Sequence, residues 1–232
     1  MVNAASTFAP GAEARAAERR LILSYAPADT RAGVAALFDL DATLADVLRQ
    51  AREPMIAQMR LTWWHDALSR LDSAPPPAQP VLTALAGEVL AHGVAGAELA
   101  RLVEGWEALL DGDPADPTAR ASFAHSHGGR LFRLAARRLA VDSALPDPAG
   151  QGWALADLSR SLSDPAAAAA AADEARALLD QALAVRWPRR LRVLGGFARQ
   201  AAMDLAEPRD RPLPAATPGR IARLGWHRLT GR

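Results

Sequence analysis

From Pro54 to the Pro75-Pro76-Pro77 block the chain contains no glycine or further proline. Pro54 suits the first turn of a helix, where its missing N–H is not needed. Met55, Met59 and Trp63 then recur every fourth residue, and Leu61, Trp64, Leu68 and Leu71 form a second stripe beside them. So wide an apolar face predicts a helix held by neighbours on more than one side. Trp63 and Trp64 lie about 100° apart on the wheel and can serve both stripes. Each tryptophan can bury roughly 150–250 Å². Arg60, four residues before Trp64, is spaced to lie on its ring. Arg52–Leu71 is thus the central helix of a helical protein.

The rest of the chain follows the same period, and no segment reads as a strand. Helices are predicted at about 11–26, 31–51, 80–92, 96–110, 118–140, 150–163, 165–187 and 188–205, with a basic, weakly amphipathic end over 218–232. Asp29 or Thr30 can cap the second helix. Asp164-Pro165 supplies a cap and first residue for the seventh of those segments. Gly128-Gly129 falls inside a helix, where each glycine costs about 1 kcal/mol against alanine. The pair therefore implies a close helix contact or a ligand. The fold class is all-α, one helical domain over 1–232, with a core at about 11–205 and a basic tail at 206–232.

Half of the 232 residues are hydrophobic, enough for one core. The absence of cysteine excludes disulfides, thiolate metal sites and a cysteine nucleophile. A net charge of +1 gives no reason to expect nucleic acid as a partner. Every basic residue among the 27 Lys+Arg is arginine, so single arginines carry little weight as signals. Charges interrupt each apolar run well short of the ~20 residues of a membrane span. The N-terminal MVNAASTFAPGAEARAAERR lacks the basic-then-apolar order of a secretory signal. The expected location is cytoplasmic.

Asp39, Asp41 and Asp46 share the second helix, and Asp41 falls within its Val34–Phe38–Ala45–Leu48 stripe. A carboxylate there must be paired, protonated or turned to a polar cavity. Either an arginine from another helix satisfies it, or it faces a ligand. Asp39 and Asp46 share the opposite, solvated face. His125 and His127 are two apart and point away from each other, so they are no metal pair, and no His/Asp/Glu cluster has ligand spacing. Nucleophile-elbow, P-loop and dinucleotide motifs are missing. Arg130, Arg133, Arg137 and Arg138 form a basic face, either solvated or in contact with diphosphate or anionic lipid.

Arg-x-x-Trp-Trp-x-x-x-Leu at Arg60–Leu68, following Ala36-Leu37-Phe38, resembles the squalene/phytoene synthase family. Ser122–Leu139 is similar to that family's glycine-containing helix, and Leu155-Ala-Asp-Leu-Ser-Arg160 to its Leu-Thr-Asn-Ile-Leu-Arg segment. The resemblance implies the isoprenoid (terpenoid) synthase fold, in which two aspartate-rich motifs face each other and hold Mg²⁺ and prenyl diphosphates. Aligned from Ala36, the first motif falls on Ala45, Asp46 and Arg49, and the second on Ser161, Asp164 and Pro165. One carboxylate remains in each, too few for a cluster of divalent ions. That pattern resembles a branch containing a mitochondrial complex I assembly factor and its bacterial relatives, which keep the fold and lose the aspartates.

The resemblance therefore implies a pseudoenzyme that binds an isoprenoid lipid or a protein partner and needs no cofactor. Its cavity candidates are Asp41, Asp46, Arg60, Trp64, Asp157 and Arg160. The alternative is an active head-to-head prenyl-diphosphate transferase with a rearranged carboxylate set, Asp41, Asp46 and Asp157. It would place Arg60 and Arg160 on the diphosphate, and Mg²⁺ on Asp46, Asp157 and Asp164. A third reading is a helical adaptor without a cavity. The tail, with Arg220, Arg223, Trp226 and Arg228, either frays or rests on an anionic membrane, making the protein peripheral at the inner membrane face.

Overall fold

A computed structural model describes residues 10–51 and 53–232. Residues 1–9 of the N-terminal stretch and Arg52, which opens the central stretch, lie outside the described residues. The described chain forms eleven α-helices joined by short 3₁₀ turns and loops, without a strand among the described residues. They are α1 (Pro10–Leu23), α2 (Ala28–Gln50), α3 (Pro54–Ser69), α4 (Pro80–Glu88), α5 (Gly96–Asp111), α6 (Pro117–Ala124), α7 (Arg130–Arg138), α8 (Pro146–Ser161), α9 (Pro165–Leu183), α10 (Arg192–Leu205) and α11 (Pro218–Thr230).

Prolines punctuate this order. Pro54, Pro80, Pro117, Pro146, Pro165 and Pro218 each stand in a first helical turn, where a missing N–H breaks nothing. Asp164 caps α9 by accepting from the N–H groups of Ala166 and Ala167. Asp29 and Thr30 do not cap α2: the helix starts one residue earlier, after Pro27, and no side chain caps it. α8 starts at Pro146 rather than near 150 because Pro146 fits its opening turn.

One continuous core joins α1 to α11, from Ile22 through Leu37, Leu61, Leu102, Phe132, Leu155 and Leu194 to Leu224. α8 is its axis, packed on α9, α10 and the turn before α7. α3 does not take the central place that its two stripes suggest. Leu61, Trp64 and Leu68 are buried, facing α5, whereas Met55, Met59 and Trp63 are 73%, 69% and 48% exposed. Only one stripe has a neighbour, because α2 and α5 both lie on the Leu61 side.

The basic end is no loose tail. Leu224 and His227 are buried against α10, and Arg220 is enclosed with Glu18 and Asp204. Its guanidinium donates to Glu18 through Nε and Nη2, at 2.8 and 2.9 Å, and to Asp204 at 2.8 Å. Gln200 also donates to Glu18, and Arg15 to Asp204. This cluster locks α1, α10 and α11 together and removes Arg220 from any membrane-facing set.

Candidate functional site

The site starts at a distortion. Between α6 and α7 the helix continues through one π turn, His125–Gly129, an insertion that shifts the helical register and often marks functional positions. The turn survives here because its neighbours come very close. A Cβ on Gly128 would overlap the carbonyl oxygen of Gly150 on α8, and one on Gly150 would overlap that of Gly128. On the other side, a Cβ on Gly105 of α5 would stand 2.9 Å from His127 N. Of the two readings of Gly128-Gly129, close helix contact is the one realised.

This clamp fixes His127 in the interior. Its ring lies among Trp106, Phe123 and Trp153, with centroid separations of 4.4, 4.9 and 5.8 Å. Nε2 meets Oδ1 of Asp41 at 2.5 Å. When Nε2 carries the hydrogen, it donates to the carboxylate and leaves Nδ1 with a bare lone pair. Nδ1 and the nearby Trp106 Nε1 are both buried without a partner. The partner of Asp41 is thus a histidine, not the arginine expected from its place in the stripe.

Asp157 completes the group. It sits one turn beyond Trp153 on α8 with part of its surface open to solvent, and its carboxyl is pushed upward. Burial is the main cause and the negative charge of Asp41 the second, partly offset by His127, Arg49 and Arg15. Asp41, His127 and Asp157 thus form one site drawn from α2, the π turn and α8. An aromatic cluster adjoins it through Trp153: Phe38 stacks on Phe197 at 4.1 Å, and Phe132 and Trp153 meet Phe38 edge-on at 5.8 Å each.

The other sequence candidates lie elsewhere. Asp46 is exposed and paired with Arg49 at 2.5 Å on its own helix. Trp64 is a core residue, and Arg60 is exposed. Among the described residues the one cation–π pair joins Arg228 to Tyr25, so Arg60 does not cover Trp64. Arg160 donates to the carbonyls of Asp204, Glu207, Pro208 and Arg211, anchoring the linker before α11. Asp164 is occupied as a cap. The basic face of α7 is a partly solvated, ion-paired face: Arg130 pairs with Glu104, Arg133 with Asp147 and the exposed Arg137 with Glu98. Buried Arg138 donates to the carbonyls of Glu88 and Asp29.

These residues do not fit Mg²⁺. One Asp41 oxygen is held by His127, and no three metal-ligating side chains cluster among the described residues. Sequence reasoning missed His127 by testing it only as a metal ligand. Its signal was the spacing Phe123–His127–Leu131, which carries the histidine on the buried face that must supply a partner for Asp41.

The family model for squalene/phytoene synthase matches residues 13–164 of the chain. Neither a curated protein nor a solved structure gives a match.

Proposed function

The chain belongs to the squalene/phytoene synthase family, and from that premise we propose that it is a non-catalytic member that uses the synthase scaffold for binding. Its Asp41–His127–Asp157 site takes the head of an isoprenoid lipid, or a protein partner in the manner of assembly-factor-like relatives. The observation that carries this reading is the Asp41–His127 pair, which ties up one of the site's two carboxylates.

The alternative, an Mg²⁺-dependent head-to-head transferase, draws on one observation: Asp41 lies near enough to Asp157 for its charge to help push that carboxyl up. Diphosphate release from farnesyl or geranylgeranyl diphosphate, with and without Mg²⁺, separates the two. The binding reading expects no release and retention of a polyprenyl lipid in native mass spectrometry. Metal-dependent release that disappears in Asp157→Asn establishes the enzyme instead. No described helix is long and apolar enough to cross a membrane, so any contact with lipid bilayers is at the surface.

A further inference from the structure

Away from this site, a groove of about 760 Å³ is lined by Tyr25, Pro27, Arg31, Arg189, Arg190, Arg192 and Arg228, among others. Five arginines from three separate segments converge there, and no carboxylate lines it among the described residues. Elsewhere many arginines are ion-paired. Arg15, Arg19, Arg120, Arg130, Arg133, Arg137, Arg176 and Arg220 each meet an aspartate or glutamate.

In the groove the guanidinium groups are fixed without being neutralised. Arg31 donates to the carbonyls of Ser24 and Ala26, Arg190 to that of Leu139, and Arg192 to those of Arg228 and Leu229. Arg228 is held over the Tyr25 ring, 5.4 Å from its centroid. Arg189 has no hydrogen-bond or ion-pair partner among the described residues. Arg192 loses basicity, first through burial and then through Arg186 and Arg189, the mark of uncompensated like charge.

Apolar side chains flank the same groove. Leu229 lines it and is 75% exposed, Trp226 stands three residues away on the same face of α11, and Val185 is also exposed. Arg186 binds the Thr230 carbonyl, which brings the Val185 segment to the end of α11. A soluble phosphate compound has no use for exposed tryptophan and leucine beside its site. A bilayer does, because Trp settles at the headgroup level while arginine meets phosphate.

We propose that this groove seats the phosphate headgroup of an anionic phospholipid, with Trp226 and Leu229 entering the bilayer beside it. The membrane-facing set is then Arg31, Arg189, Arg190, Arg192 and Arg228 with Trp226, drawn from three segments rather than from the C-terminal helix alone. The groove is separate from the Asp41–His127–Asp157 site, and its success or failure leaves the reading of Asp41 and Asp157 untouched.

Flotation of the full chain with vesicles of phosphatidylcholine, or of phosphatidylcholine with phosphatidylglycerol, tests it. Binding is expected only to the anionic vesicles and should fall with added salt. Arg31→Gln with Arg189→Gln should weaken it about 30-fold, at roughly five-fold per basic residue near an anionic surface. Arg189→Gln alone, which breaks no internal bond, should show the single step. Trp226→Ala should weaken binding without altering its salt dependence, and Arg60→Gln, on the distant exposed face of α3, should leave it unchanged. No anionic-vesicle binding, or equal loss in Arg60→Gln, overturns the proposal. So does binding of inorganic phosphate or glycerol 1-phosphate with inert vesicles, or of single-stranded RNA through the same arginines in place of vesicles.

Discussion

Gly128 and Gly150 meet backbone against backbone, each occupying the space into which the other's Cβ would project. The contact joins the π turn to α8 and so sets the distance between His127, one residue before Gly128, and Asp157, seven residues after Gly150. Any side chain at this crossing must push the two segments apart. Gly150→Ala should destabilise the protein by about 1–3 kcal/mol, the usual cost of overpacking a tight core. A lower denaturation midpoint in urea, with unchanged slope, checks it; an unchanged midpoint means that the crossing can relax.

The Asp41–His127 pair lends itself to a double-mutant cycle. Asp41→Leu leaves His127 Nε2 buried without a partner, a loss of about 1–3 kcal/mol. Asp41→Leu combined with His127→Phe removes both polar groups from surroundings that are already aromatic. The double variant should recover much of the stability, since replacing both partners is often nearly neutral. Stability measured by denaturant unfolding in all four proteins gives the coupling. If the pair instead serves to orient Asp41 toward a bound lipid, the stable double variant should still lose that lipid in native mass spectrometry.

The buried cluster of Glu18, Asp204 and Arg220 makes a third test. Glu18 is fully enclosed, and Arg220 is its chief counter-charge. Burial pushes the Glu18 carboxyl up, but hydrogen bonds from Arg220 and Gln200 outweigh it, and the net displacement is downward. A carboxylate held below its unfolded value stabilises the fold above that value, and the contribution is lost as pH falls through the folded one. Arg220→Met strands Glu18, while Asp204 keeps Arg15, and should cost about 3–5 kcal/mol at neutral pH. The variant's deficit should shrink on mild acidification, as the stranded Glu18 takes up a proton. Chemical denaturation at several pH values reads both effects.

Helix order was legible in the sequence because prolines and the 3.6-residue period mark it locally, although the single segment read at 118–140 divides into α6 and α7. Pro54, Pro165 and the run to Leu71 needed no tertiary information. What sequence could not supply was which stripe of α3 finds a partner: Met55 and Leu61 look equally apolar, and only the placement of α2 and α5 buries one and exposes the other. The Asp41–His127–Asp157 site was half legible. Asp41 stood out as a carboxylate in an apolar stripe, and Asp157 as a residue one turn from the second motif. Their link through His127 depends on a π turn, which the periodicity of 118–140 does not reveal. Arg160 and Asp46 look like ligand contacts in a linear alignment. In three dimensions one is spent on backbone carbonyls and the other on Arg49.

His227 provides a pH test independent of the carboxylates. Its ring is fully buried between Gly195 and Trp187, with Nε2 near the Arg192 carbonyl and Nδ1 unpaired. Burial pushes its pKa down to about 4 from the ordinary 6.5, helped by the charge of Arg199. The unfolded chain therefore binds a proton between those values that the folded chain refuses, so stability falls as pH drops from 6.5 toward 4. At about 1.4 kcal/mol per pKa unit, the full loss is on the order of 3 kcal/mol. His227→Gln, which has no titrating group, should start less stable at pH 7 because its amide fits the ring-shaped site poorly. The difference between the two proteins should then narrow steadily on acidification, most of it between pH 6 and pH 4.5. Melting temperatures of wild type and variant in matched buffers decide the point: parallel curves across this window mean that His227 does not control the acid limb.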